Sequence, residues 1–127
     1  MELAFIHKVA EWTGTTTDVA EALTEATLRA LSQRISGGEA ADLADRAPDE
    51  LRPYLTKAQE EPEPFPYEEF IRRVAESVNV DLATAEAGVA AVLHALRDVV
   101  GYRQFGDAVA QLPKNLASLA MGGTSRE

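Results

Sequence analysis

The strongest constraint on this chain is that it matches itself. Shifted by 65 positions, the first half lies on the second without a gap: Phe5-Ile6 falls on Phe70-Ile71, Val9-Ala10-Glu11 on Val74-Ala75-Glu76, and Ala20-Glu21-Ala22 on Ala85-Glu86-Ala87. Further on, Ala26, Leu28, Ala30 and Leu31 meet Ala91, Leu93, Ala95 and Leu96, and Asp42, Pro48 and Leu51 meet Asp107, Pro113 and Leu116. Self-similarity at a fixed period marks a repeated supersecondary unit that buries its apolar face against a neighbour. The matches span the unit and include a proline, so shared alanine content does not explain them. The sequence reads as a tandem duplication.

Apolar spacing says what is duplicated. Tyr67, Phe70, Ile71, Val74 and Val78 fall at i, i+3, i+4, i+7 and i+11, the stripe of an amphipathic helix over 67–78, and Phe5, Ile6, Val9 and Thr13 trace its counterpart over 2–13. Longer helices are predicted over 17–35 and 82–100, lined by Val19, Leu23, Ala26, Ala30 and Leu31 in one and Ala85, Val89, Val92, Leu96, Val99 and Val100 in the other. Thr16, Thr17 or Asp18 can cap the first, Asp18 and Glu21 having capping-box spacing, and Asp81 is the cap candidate of the second. Gly37-Gly38 and Gly101 read as helix stops, because glycine reaches the left-handed conformation at little cost. Short third helices over 39–46 and 104–111 follow, and Pro48 and Pro113 suit the first turn of a fourth.

The expected fold class is all-α: two tandem repeats of about four helices each, packed as one compact bundle-like unit. Repeat one takes residues 1–57, a Pro/Glu-rich connector 58–66, repeat two 67–121 and a flexible tail 122–127. Three alternating prolines (Pro62, Pro64, Pro66) stiffen the connector, and Phe65 and Tyr67 should pin it to the core. Hydrophobic residues make up 46% of the chain, mostly alanine and leucine, and no strand-like alternation of β-branched and aromatic residues competes with this reading.

The second copy, Phe70-Ile71-Arg72-Arg73-Val74-Ala75 through Asp107-Ala108-Val109-Ala110-Gln111-Leu112-Pro113, resembles the bacterial family catalogued as domain of unknown function 2267. The resemblance covers nearly the whole chain, and its most specific piece is Ala110-Gln111-Leu112-Pro113; the first copy has Asp45-Arg46-Ala47-Pro48 there. It implies a small helical bacterial protein and carries over no catalytic residue, cofactor or activity.

The residues themselves offer little chemistry. With no cysteine, thiol nucleophiles, disulfides and thiolate metal sites are excluded. His7 aligns with Arg72 and His94 with Arg29, so both histidines are expected at solvated positions that accept any long polar side chain. Neither stands in a metal-ligand spacing. Glu21 and Glu25 share a helix face, but a di-metal bundle needs facing Glu-x-x-His ligands that the sequence lacks. No nucleophile elbow, phosphate loop or dinucleotide fingerprint occurs. The expectation is no enzyme, no cofactor and no metal.

Net charge is −9, and five glutamates without a single base fall within 58–69. Such a field disfavours nucleic acid and anionic membranes. The stretch 31–43 resembles a helix-turn-helix, yet Glu39, Asp42 and Asp45 would face phosphates with carboxylates. No signal peptide or membrane span is legible, so a cytoplasmic location is expected. What remains is a set of aromatics where the other copy is small or aliphatic: Trp12 opposite Ser77, Tyr54 opposite Leu119, Tyr102 opposite Gly37 and Phe105 opposite Ala40. They are the candidate interface, between the copies or with a partner. The expected role is a non-catalytic interaction or regulatory module that binds another protein or itself. The alternative is a small-molecule-binding regulator with an apolar pocket between the repeats.

Overall fold

Helices form wherever the sequence shows helical spacing. The computed structural model describes residues 3–56 and 59–121, so the expected tail at 122–127 lies outside the described residues, as do positions 57 and 58 of the repeat-one/connector junction. In chain order the helices are α1 (Leu3–Thr13), α2 (Thr17–Arg34), α3 (Gly37–Arg46), a 3-10 turn (Asp49–Leu51) leading into α4 (Arg52–Leu55), α5 (Tyr67–Val78), α6 (Leu82–Val100), α7 (Tyr102–Val109) and α8 (Lys114–Met121). No strand occurs among the described residues.

Local chemistry sets most boundaries. The Thr16 hydroxyl accepts from the Val19 amide at 3.2 Å, so Thr16 caps α2 and the Asp18–Glu21 spacing goes unused. Asp81 caps α6 by accepting from the Thr84 amide at 2.8 Å. Gly101, at φ +94°, closes α6 and opens α7. Two expectations need correction. Gly37-Gly38 do not end α2, which closes at Ile35; they form the first turn of α3 behind the cap Ser36. The reason lies far away in sequence, because the connector crosses there and a Cβ on Gly37 would stand 3.0 Å from the Gln59 carbonyl. Pro48 and Pro113 precede their helices instead of entering the first turn. Their carbonyls accept the opening bonds from Leu51 at 2.9 Å and Ala117 at 2.8 Å.

The connector is tied down as expected. The Gly37 amide donates to the Glu60 carbonyl and the Glu63 amide to the Gln33 carbonyl, both at 2.8 Å, and Arg34 Nε donates to the Phe65 carbonyl at 2.9 Å. Phe65 is buried beside Phe70, with the Arg73 guanidinium 3.9 Å from its ring centroid.

One apolar core runs through the molecule, with Leu23, Leu28, Leu31, Phe70, Leu93 and Leu96 fully buried. The helices exchange partners to build it. α1 packs on α6, α2 on α5, α2 on α6 and α3 on α7, so each half completes its burial against the other. Where α2 crosses α6, a Cβ on Gly88 would stand 2.6 Å from Leu23 Cδ2. Only glycine leaves room there.

Candidate interaction surface

Trp12, in the last turn of α1, has about half its surface exposed, and its ring lies 4.9 Å from the His94 imidazole, tilted by 49°. His94 is not the solvated residue expected: it is 5% exposed. Its Nε2–H donates to the Leu119 carbonyl at 3.1 Å. Trp12 covers the imidazole from α1 and the Leu119 carbonyl binds it from α8, which explains its burial. A signal for this was present, because Trp12 and His94, which stand at two of the positions where the halves disagree, face each other across the α1–α6 seam. Along that seam Lys8 Nζ pairs with Asp98 at 3.5 Å, both side chains being well exposed. His7 is exposed, as expected.

The other aromatics are dispersed. Tyr102 opens α7 at 65% exposure, with the Arg97 guanidinium 4.9 Å from its ring centroid. Tyr54, on α4, is partly buried beneath the Arg29 guanidinium at 5.0 Å. Burial and a hydrogen bond to Glu25 push its hydroxyl pKa above the usual tyrosine value. Phe105 is buried at 1% exposure on α7, the helix that packs on α3, so it lies where the halves meet and not on a surface open to a partner. α7 lays that ring inward where Ala40 would leave space. Two further apolar side chains are exposed: Leu82 at 61%, which the sequence reading did not single out, and Val99 at 43%, which was expected on the apolar face of α6 and instead points to its solvent side. Their signal was the same as for Trp12, since they stand opposite Thr17 and Arg34.

Glu21 and Glu25 are half-buried, and Glu25 is engaged by Tyr54. Burial, then the nearby Asp107 and Asp42 carboxylates, raise the Glu39 pKa above 4.5. That cluster arises because α3 packs on α7, so the helix that resembled a recognition helix spends one face inside the protein. No group of three His, Cys, Asp or Glu among the described residues is placed to hold a metal ion.

The family described as Uncharacterized conserved protein (DUF2267) matches residues 3–119. The chain belongs to this family. No curated protein matches it. The DUF2267 match takes in both halves, the Trp12–His94 seam and the connector, so these features lie within the family domain. No helix among the described residues of this DUF2267 chain is long and apolar enough to cross a membrane.

Grooves open at several places on this DUF2267 fold, among them one of about 240 Å3 between α3 and α4. Three open grooves of about 230, 490 and 540 Å3 meet at Leu82, between α5 and the start of α6. Another, of about 280 Å3, lies between α2 and α5 and is edged by Arg29, Gln33, Arg73, Glu76 and Ser77. Ser77 and Arg29 are the residues that stand opposite Trp12 and His94.

Proposed function

We propose that the chain is a non-catalytic interaction module, built by tandem duplication of a four-helix unit and binding another protein or a second copy. The duplication is supported by geometry the sequence match does not contain. Helices open at Thr17 and Leu82 and again at Gly37 and Tyr102, each pair 65 residues apart. Gly14 and Asn79, likewise equivalent, turn through left-handed φ of 69° and 64°. The α1–α6 contact corresponds to the α2–α5 contact, and Leu23 touches its own equivalent, Gly88.

One observation carries the interaction reading. The four large apolar side chains exposed among the described residues are Trp12, Leu82, Val99 and Tyr102. They stand opposite Ser77, Thr17, Arg34 and Gly37. Each half shows what the architecture accepts at the other's position, and at all four it accepts a polar or small residue. Packing therefore does not require these side chains, and apolar area left in water is retained most readily where a partner covers it. The small-molecule alternative has weaker support, because the groove between α2 and α5 sets only Ala26 and Ala30 among the charged and polar groups of Arg29, Gln33, Arg73, Glu76 and Ser77. A cytoplasmic setting belongs to the same proposal, resting on the absent cysteines and the charge of −9.

The test replaces each side chain by a polar one, as in Trp12→Ser with Tyr102→Ser, in the full chain. Oligomeric state by light scattering and the set of co-purifying proteins are then compared with wild type. Loss of a partner or of self-association at unchanged melting temperature supports the module. Both properties unchanged, with Leu82→Thr and Val99→Arg added, would sink it.

A further inference from the structure

The Leu82 surface combines two properties that together specify a ligand class. Leu82 is the first residue of α6, and its side chain borders all three grooves on that side. Around it lie the apolar groups of Tyr67, Ile71, Ala83 and Phe65, of which Ile71 and Phe65 are held by the core. In the first half Thr17 and Asp18 occupy the positions of Leu82 and Ala83, so the apolar centre is particular to the second half.

The rim is acidic. Five carboxylates border the grooves, those of Glu68, Glu69, Glu76, Asp81 and Glu86, against two guanidiniums, Arg72 and Arg73. Both bases are already engaged: Arg72 pairs with Glu69 and with Glu76, and Arg73 pairs with Glu69 at 2.9 Å and Glu63 at 2.8 Å. No ion pair among the described residues reaches Glu68, Asp81 or Glu86. Among the described residues Glu86 accepts from a hydroxyl, that of Tyr67. The N-terminal ends of α5 and α6 offset part of this charge, at about half a unit each. Roughly two negative charges remain around an apolar centre.

We propose that this surface docks a cationic amphipathic helix, with apolar residues at i, i+3 or i+4 seated around Leu82 and lysines or arginines facing Glu68, Glu86 and Asp81. An anionic membrane is excluded by the same rim. Strand addition is excluded because the described residues form no sheet edge. The proposal rests on the interaction reading above and names the partner class for one part of that surface.

The probes are two synthetic peptides of one leucine–lysine composition, one ordered as an amphipathic helix and one scrambled. Each is titrated into the full chain and followed by anisotropy and by amide shifts. The ordered peptide is expected to bind, with shifts confined to α5, the connector end and the first turns of α6. Leu82→Thr should weaken it about tenfold, the expected loss for one buried leucine contact. Glu68→Gln with Glu86→Gln should weaken it severalfold and flatten its salt dependence. Leu82→Lys, which keeps an exposed helix former at the site, should abolish binding. Equal binding of the scrambled peptide, shifts elsewhere, or a Leu82→Thr affinity within twofold of wild type would each overturn the proposal. If these fail while the Trp12 and Tyr102 variants still lose a partner, the module stands and only its assigned partner class falls.

Discussion

His94 and Thr27 show how far single residues can be read from a duplicated sequence. His94 aligns with an arginine, which suggested water around it; the structure buries it under Trp12. Alignment between halves reports what the backbone tolerates at one position, and it is blind to a second substitution that compensates across a helix seam. Thr27 is the converse. It is fully buried, and among the described residues its Oγ1 has no hydrogen-bond partner, while the equivalent residue, Val92, is buried and apolar. An unsatisfied buried hydroxyl costs about 1–3 kcal/mol, and valine has nearly the same shape. Thr27→Val is therefore expected to stabilise the fold by about 1 kcal/mol in urea unfolding with an unchanged slope. Glu39 makes a pH-dependent case. Its pKa is raised above 4.5, so the native state holds that proton more tightly than the unfolded chain does. Stability contributed by the protonated group is fully present below pH 4.5 and declines as pH rises through the native value. Glu39→Gln, which installs the residue of equivalent Gln104, should raise the melting temperature at pH 7. The gain should vanish below about pH 4, where the wild-type carboxyl is neutral as well. A gain that persists at acid pH would point to packing instead of charge.

At the scale of elements, the sequence was most legible where structure is made locally. The stripes of α1 and α5, the cap at Asp81 and the stop at Gly101 follow from spacing and from the backbone preferences of single residues. Gly37-Gly38 was misread because a glycine pair has two uses, as a helix stop and as clearance for another segment, and sequence does not say which. The two glycines should separate on mutation. A Cβ on Gly37 meets backbone, the Gln59 carbonyl at 3.0 Å and Glu60 Cα at 3.1 Å, whereas one on Gly38 meets only the end of the Glu60 side chain at 3.8 Å. Gly38→Ala should gain up to about 1 kcal/mol from helix propensity. Gly37→Ala gains the same propensity but displaces the connector and its bond to Glu60, so a net loss of about 1 kcal/mol is expected. Faster proteolysis within 59–66 for Gly37→Ala alone would locate the damage. Equal effects of the two substitutions would mean that the connector does not rest on α3.

At the scale of the molecule, periodicity reveals helices but not which helix packs on which. The exchange of partners, α1 onto α6 and α2 onto α5, depends on complementary relief at a few crossings. One of them sets Leu23 against Gly88, and under the proposed duplication these are one position seen twice. A two-fold relation places such a position on its own axis, where two leucines would collide and two glycines would leave a void. One large and one small residue is the arrangement that packs, and which half carries the leucine should matter little. Leu23→Gly alone removes a fully buried side chain and adds a mid-helix glycine, an expected cost of about 3–5 kcal/mol. Gly88→Leu alone drives a side chain into the space Leu23 occupies, with an expected cost of at least 1–3 kcal/mol. Combined, the two restore both the volume and the glycine count on opposite helices. The double variant should then be more stable than either single one, with a coupling above about 2 kcal/mol in a double-mutant cycle of urea unfolding. Additive losses would mean that α2 and α6 are not interchangeable at their crossing, and the halves would have to be treated as unlike structures sharing a similar sequence.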